Sequence, residues 1–341
     1  MNVPEEIFRI HFETRSKKPD VFRFTEDLIA SAMARNGYPR DGVPASATLG
    51  SDLSDLSWLP DTQTLVTSND VIVDPRFPRY ALAERAPRLK WIHIIGAGIE
   101  PLLPLDWLPR HVILTNNSGV HFDKAVESAT MVLLMLNSRL PEITANQHRC
   151  VWKQIFTSTI RGKTVLVIGV GDMGAAVAAA ARSLGLTVLG IRRSGRPHEF
   201  VDEMFSIGEL DALLSRADFV VLAAPLTNET VNLMDDRRFG LMKRGVGFFN
   251  FGRAGSVDHH ALMENLNNGH LSGAVIDVVD KEPLDPNSSL WRAKNLTIMP
   301  HVSSDDLDLY LPKTFDLVFQ NLERLLTNQP LLNAVDRLKQ Y

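Results

Sequence analysis

Arg253, Glu282 and His301 are residue types that act on carbonyl groups, and each lies just beyond a short apolar run in this chain of 341 residues. Residues 246–250 lead into Phe251-Gly252-Arg253, residues 274–278 into the segment from Asp277 to Glu282, and residues 296–299 into Pro300-His301. A fourth run, 219–223, leads into Ala224-Pro225-Leu226-Thr227. Runs of this length read as strands of a parallel sheet buried on both faces. Ligands of such sheets gather at the carboxyl ends of the strands. A guanidinium there holds a carboxylate in a fork, an imidazole moves a proton, and a carboxylate orients the imidazole. Together the three suit reduction of a 2-keto acid. Taken singly, each has a plainer reading: a strand-end cap for Arg253, a turn residue before Pro283 for Glu282, a loop histidine for His301.

The elements that must position them centre on residues 164–194. Residues 164–168 form an apolar run, Gly169-Val170-Gly171-Asp172-Met173-Gly174 follows, 175–184 holds strong helix formers, and 186–191 is a second apolar run. Strand, glycine turn, helix and strand in this order are the setting of a dinucleotide-binding fingerprint. Gly169 allows the tight turn, Gly171 lets a pyrophosphate approach the backbone, and Gly174 lets helix and strand pack closely. The helix N-terminus adds free N–H groups and positive dipole. At the end of the second strand, where an NAD site usually carries an acid, stand Arg192-Arg193-Ser194. A guanidinium pairs with a 2′-phosphate that a carboxylate would repel, so NADP(H) is expected over NAD(H), with NAD(H) use still open. The plainer reading is a solvated basic turn.

Length and composition fit this picture. The chain is long enough for two domains, and 45% hydrophobic with 22% charged residues is ordinary globular composition. A net charge of −4 gives no footprint for nucleic acid. Cys150 is the single cysteine, which excludes an intrachain disulfide and a thiol metal cluster and suits a reducing, cytoplasmic setting. The opening residues carry early acids and no long apolar core, unlike a signal peptide, and no apolar stretch is long enough to span a membrane. His259-His260 lacks metal-ligand spacing, so no metal is expected.

Strands are expected at 7–12, where apolar and polar residues alternate, and at 63–67, 91–95 and 112–115. A strand with short turns is expected within 43–59. Helices are expected at 25–36, at 80–86, at 122–136 with Pro141 ending it, at 207–215, at 259–268 and at 305–326. The polar segment 141–160 reads as an excursion over the surface or a partner subunit. The expected fold is α/β with two doubly wound parallel-sheet domains and a cleft between them. One is a Rossmann nucleotide-binding domain over 118–300. The other is a flavodoxin-like substrate domain, discontinuous over 1–117 and 301–341.

The chain resembles the D-2-hydroxyacid dehydrogenases, a family that includes glyoxylate/hydroxypyruvate reductases, phosphoglycerate dehydrogenase and formate dehydrogenase. The resemblance rests on VLVIGVGDMG, APLTNETVNLM, NFGRAGSVD, DVVDKEPL, LWRAKNLTIMPHVSS and NLERLLTNQPLLNAV; it is firm from about residue 91 onward. It implies that Arg253 binds the substrate carboxylate and keto oxygen. His301 is then the general acid in reduction, and Glu282 pairs with it and raises its pKa. Asp277 holds the nicotinamide carboxamide, Ala224, Pro225 and Phe251 line the cofactor, and the Ala97–Gly98 amides bind the substrate carboxylate. Arg192 places the chain nearest the NADPH-dependent glyoxylate/hydroxypyruvate reductases, with a small 2-keto or 2-hydroxy acid as substrate and a homodimer as the expected assembly. Alternatives are a dehydrogenase of a larger or phosphorylated acid, and a nucleotide-sensing, corepressor-like binding protein of the same fold. Three departures stand out. Gly252 and Ala254 exchange the usual Ala and Gly around Arg253, which predicts a looser loop. Met299 replaces a Thr, and Asp305 and Asp306 follow His301 either to select a substrate or to cap the last helix.

Overall fold

The structure, a computed structural model, describes residues 7–39 and 45–337; the acidic opening segment 1–6 and Val43 lie outside them. The chain divides into two compact units, Met1–Val120 with Asp306–Tyr341, and His121–Asp305.

The first unit contains β1 (Phe8–Thr14), α1 (Glu26–Arg35), β2 (Ala45–Ser51), β3 (Thr64–Thr67), α2 (Asn69–Ile72), α3 (Leu82–Arg85), β4 (Trp91–Ile94) and β5 (Ile113–Thr115). The five strands are parallel in the order β2-β1-β3-β4-β5. This is the flavodoxin-like order, with its switch point between β1 and β3. Helix α1 starts where Thr25 accepts from the Leu28 amide at 3.2 Å. The alternation in β1 does not leave one face wet. Of its seven residues only Arg9 is exposed, because β1 lies between β2 and β3 and both faces of the sheet are covered. Phe8, Ile10 and Phe12 join one apolar cluster, and Leu65, Ile92 and Leu114 join the cluster on the other side.

The second unit runs α4 (Phe122–Asn137), α5 (Leu140–His148), β6 (Thr164–Ile168), α6 (Asp172–Ser183), β7 (Thr187–Ile191), β8 (Glu203–Phe205), α7 (Leu210–Leu214), β9 (Phe219–Leu222), α8 (Asp236–Leu241), β10 (Val246–Asn250), α9 (His259–Asn267), β11 (Leu271–Ile276) and β12 (Leu296–Ile298). Its seven parallel strands are ordered β12-β11-β10-β9-β6-β7-β8. The chain leaves β6 toward β7 and returns to its other side at β9, so the switch point falls at the carboxyl end of β6, where the glycine turn sits. Side chains of β6 alternate: Leu166 and Ile168 enter one core, Val165 and Val167 the other. Four of the five buried alanines of α6 let Ala125 and Ala129 of α4 pack against it in that second core. The last helix, α10 (Tyr310–Leu326), returns to the first unit and lays Phe315, Val318 and Phe319 against Phe12 and Phe24.

Three expectations are corrected. Pro141 does not end α4. Arg139 does, in the left-handed region at φ 55°, and Pro141 lies in the first turn of α5, where its missing N–H has no intrahelical role. The segment 141–160 is therefore helical in its first third. Helix α10 begins at Tyr310, not at residue 305, because Pro312 fits only in a first turn. Asp306 instead accepts from the Asp308 and Leu309 amides at 2.9 and 2.8 Å, closing the turn before the helix. Edge strand β8 was not anticipated; three residues carry too little pattern. No helix of the described residues is long and apolar enough to cross a membrane.

Candidate active site

Helix α6 starts directly from the glycine turn. Gly171 is its N-cap and offers no side chain, so the first-turn amides of Asp172, Met173 and Gly174 have no partner inside the helix. A Cβ built on Gly171 would meet nothing within 4 Å, which leaves open space at the backbone. The other two glycines are required by packing. A Cβ on Gly174 would lie 2.0 Å from the Gly169 carbonyl oxygen, and one on Gly169, at φ 96°, would lie 2.5 Å from Ala224 Cα. An open cradle beside free N–H groups fits a pyrophosphate.

At the end of β7 the two arginines behave differently. Arg193 pairs with Glu229 at 3.5 Å, an exposed contact. Arg192 is half-buried and makes no ion pair or side-chain hydrogen bond among the described residues. Ser194 accepts from the Arg196 amide at 3.4 Å. Arg192 is thus the guanidinium of this turn best placed to take an added phosphate.

Strand ends β9 and β10 come together through backbone. A Cβ on Gly252 would sit 2.7 Å from the Ala224 carbonyl oxygen, so glycine here permits a close approach. The loop is also tied rather than loosened: Gly252 N donates to Asn250 Oδ1 at 3.1 Å, and Asn250 Nδ2 donates to the Arg253 carbonyl at 3.2 Å. Arg253 is half-buried in extended backbone, with Nη1 donating to the Gly252 carbonyl at 3.1 Å. Phe251 is buried and stacks on Phe249, centroids 4.8 Å apart. The Pro225 carbonyl accepts from the Thr230 hydroxyl at 2.7 Å, which fixes the turn after β9.

Beyond β11 and β12 the structure brings Glu282 and His301 into contact, His301 Nδ1 lying 2.8 Å from Glu282 Oε2. Both side chains stay accessible, 51% and 40% exposed. The carboxylate can only accept when ionised, so it selects the Nδ1–H tautomer and leaves Nε2 to face outward. His301 holds a left-handed backbone at φ 55°, an uncommon choice that asparagine, aspartate and histidine tolerate best. Asp277 holds this loop: its Oδ1 accepts from the Val302 amide, the Ser303 amide and the Ser303 hydroxyl at 3.2, 3.3 and 2.6 Å. Its Oδ2 keeps no hydrogen-bond partner among the described residues. Burial pushes the Asp277 carboxyl up, and the Ser303 hydroxyl opposes that. Met299 adds its sulfur 3.3 Å from the same hydroxyl.

Sequence reasoning missed one residue of this neighbourhood. His121, just before α4, is buried, with Nδ1 3.1 Å from the Ser304 carbonyl and 3.5 Å from Asp305 Oδ1. Its only signal in the sequence is a histidine ahead of a long apolar helix, which points to no partner.

In the first unit, Ala97 and Gly98 follow β4. Their carbonyls accept from Asn116 Nδ2 and Asn69 Nδ2, both at 2.8 Å. No acceptor among the described residues takes their amide N–H groups. The carbonyls are thus held back while the amides stay available, the pattern of an anion nest.

Residues 130–303 match the family model described as D-isomer specific 2-hydroxyacid dehydrogenase, NAD binding domain. Glyoxylate reductase of Thermococcus kodakarensis is 31% identical over 258 residues, 73% of this chain and 76% of that protein. Glyoxylate/hydroxypyruvate reductase B of Salmonella paratyphi A is 29% identical over 231 residues, 66% of this chain and 71% of that one. Among solved structures, a D-isomer specific 2-hydroxyacid dehydrogenase from Xanthobacter autotrophicus Py2 in complex with NADPH and MES superposes with a TM-score of 0.80 at 26% identity, covering 98% of this chain and 99% of that one. An NADPH-dependent glyoxylate/hydroxypyruvate reductase from Sinorhizobium meliloti, in complex with NADP and sulfate, gives 0.76 at 26% identity, covering 98% and 100%. A dinucleotide cradle, a histidine–carboxylate pair at neighbouring strand ends and these likenesses converge: the chain is an NAD(P)-dependent oxidoreductase and belongs to the D-isomer specific 2-hydroxyacid dehydrogenase family.

Proposed function

We propose that the protein reduces small 2-keto acids of the glyoxylate and hydroxypyruvate kind to D-2-hydroxy acids, with NADPH preferred over NADH. The observation that carries this reading is the 2.8 Å contact of His301 with Glu282 at the carboxyl edge of the seven-stranded sheet. The nicotinamide, when bound, supplies the hydride that the carbonyl carbon takes up. The residues of the chain do the rest. His301 donates a proton from Nε2 to the keto oxygen, and Glu282 on Nδ1 stabilises the charged ring before that step and orients it throughout. Arg253 pairs with the substrate carboxylate and polarises the keto oxygen. The Ala97–Gly98 amides are read as an anion nest of the first unit, suited to a carboxylate. Asp277 Oδ2 accepts from the carboxamide of the cofactor, and Ala224, Pro225 and Phe251 line it. The first-turn amides of α6 receive the pyrophosphate, and Arg192 receives the 2′-phosphate.

A homodimer is part of the proposal. Trp152 and Phe156 are 94% and 87% exposed, and Met131, Leu134, Leu140 and Ile143 of α4 and α5 add apolar surface of the kind that partner subunits cover. Light scattering at the mass of one chain, 38.0 kDa, would refute it. The substrate reading is tested by initial rates with NADPH and with NADH against glyoxylate, hydroxypyruvate, pyruvate and a bulkier keto acid. It expects the largest kcat/KM with NADPH and the two acids first named. Tight NADPH binding with no oxidation by any of the four would overturn it.

A further inference from the structure

His121 and Asp305 form another imidazole–carboxylate pair near His301, Asp305 lying four residues downstream of it, and unlike the His301–Glu282 pair it is little exposed. The pair is secluded, with side chains 10% and 19% exposed. Asp305 accepts no hydrogen bond among the described residues; its close charged neighbour is His121 at 3.5 Å. A carboxylate withdrawn from water without hydrogen bonds is costly and calls for a reason. The Ser304 carbonyl 3.1 Å from His121 Nδ1 can only accept, so Nδ1 carries the hydrogen and the ring is tied to the loop backbone.

That bond completes a set. Within the loop, the His301 amide donates to the Met299 carbonyl at 3.0 Å, the amides of Val302 and Ser303 donate to Asp277, and the Ser304 carbonyl accepts from His121. Every residue from His301 to Ser304 is therefore pinned. A left-handed backbone at His301 persists only where its surroundings over-determine it. The His121 tie spans 183 positions of sequence, so it anchors the loop to the start of α4 rather than to itself. Charge adds to geometry. Burial lowers the His121 pKa, Asp305 offsets this, and His301 and Arg253 each oppose a charge on the ring. Burial raises the Asp305 carboxyl, and His121 and His301 pull it back. The pair thus lies within electrostatic reach of His301 and Arg253, and Asp277 and Glu282 are the other titratable groups that contact the loop, both from the segment after β11.

We propose that His121 and Asp305 are positioning residues for the reaction, a little-exposed pair that fixes the loop from which His301 acts. The proposal rests on the proton-donor reading of His301. A misplacement of about 1 Å at the reacting atoms costs up to about 100-fold in rate, so His121→Ala is expected to lower kcat on glyoxylate by about 10- to 100-fold. The NADPH dissociation constant, read by fluorescence titration, should stay within about twofold, since the pair is assigned no part in holding the dinucleotide. His121→Asn keeps a side-chain N–H for the Ser304 carbonyl and should recover most of the rate. It also removes a titratable group, which should reshape the pH profile of kcat. A purely structural role would lower the melting temperature and leave kcat per nucleotide-binding site unchanged. Unchanged kcat in His121→Ala, or His121→Asn no better than His121→Ala, would overturn the proposal. Should His121→Ala not fold, Asp305→Asn takes its place, and unchanged kcat there overturns it equally. His301→Ala runs alongside: full activity in that variant removes the reading of His301 itself, whereas its inactivity beside fully active His121 variants removes only the positioning role.

Discussion

Two of the histidine–carboxylate pairs, one chosen from each unit, have nearly the same bond and opposite surroundings. His11 Nε2 lies 2.9 Å from Glu13 Oε2 in β1, and His301 Nδ1 lies 2.8 Å from Glu282 Oε2 beyond β12. The first pair is enclosed, with side chains 3% and 0% exposed. Trp58 stacks on His11 at 3.8 Å, Thr48 takes its other nitrogen at 2.8 Å, and Glu13 Oε1 accepts from the Leu53 amide at 2.7 Å. Gly50 closes over them, since a Cβ there would fall 2.2 Å from Glu13 Oε2. Every polar atom is used and nothing can enter. The second pair uses one nitrogen of the ring and leaves the other accessible at a sheet edge where ligands collect. The difference teaches that the contact alone does not mark a catalytic pair; the unspent nitrogen beside open space is what makes His301 the candidate proton donor.

The largest expected effect breaks the symmetry at once. His301→Ala should cut turnover by about 100- to 10,000-fold, the range of general acid–base catalysis, with NADPH binding retained. His11→Ala should leave turnover per folded molecule close to wild type. Comparable losses of kcat in both would erase the distinction.

The next effect lies in pH and stability. Burial lowers the pKa of His11, with Glu13 opposing, and lowers that of fully enclosed His93 to about 4. A histidine with a folded pKa below its unfolded value of 6.5 is protonated first in the unfolded chain. Its contribution to stability is whole above pH 6.5 and is lost as pH falls toward 4. For His93 the loss is about 3 kcal/mol, at about 1.4 kcal/mol per pH unit. Urea melts followed by tryptophan fluorescence, to which Trp58, Trp91 and Trp107 of the first unit contribute, should shift to lower midpoints between pH 6.5 and 4. Replacing His93 by Asn should flatten that dependence; a midpoint independent of pH in the parent protein would contradict it.

A smaller effect sharpens the cofactor side of the second unit. Arg192→Asp is expected to weaken NADPH by about tenfold or more while changing NADH little, the scale of one charge-assisted contact. Arg193→Ala, already engaged with Glu229, should change either cofactor by less than about threefold. Equal losses for the two cofactors in Arg192→Asp would remove the phosphate contact from the account.

What was legible in the sequence was local, or repeated at strand ends. Gly169, Gly171 and Gly174 carry their own spacing, and Arg253, Glu282 and His301 each follow an apolar run, so the parallel sheet and the residues at its edge could be read directly. What was not legible depended on distance along the chain. His121 meets Ser304 and Asp305 across the full length of the second unit. His11 and Glu13 fall on alternate positions of β1 and look like a wet face until β2 and β3 are known to flank it. Pro141 reads as a stop because proline breaks helix interiors, but the left-handed Arg139 had already broken the helix and made Pro141 a first-turn residue. Gly252 looked like a loosening exchange until the Ala224 carbonyl appeared above it.

The measurement that tests the central claim most directly is kcat and melting temperature, taken together, for Glu282→Gln and Glu13→Gln with NADPH and glyoxylate. The account predicts a crossed result. Glu282→Gln should lower kcat by about tenfold or more and move the melting temperature by less than about 2 °C. Glu13→Gln should leave kcat within about twofold and lower the melting temperature by about 3–8 °C, the scale of a lost buried charge-assisted hydrogen bond. A Glu282→Gln enzyme with full turnover, or a Glu13→Gln enzyme that melts as the parent does, would contradict it.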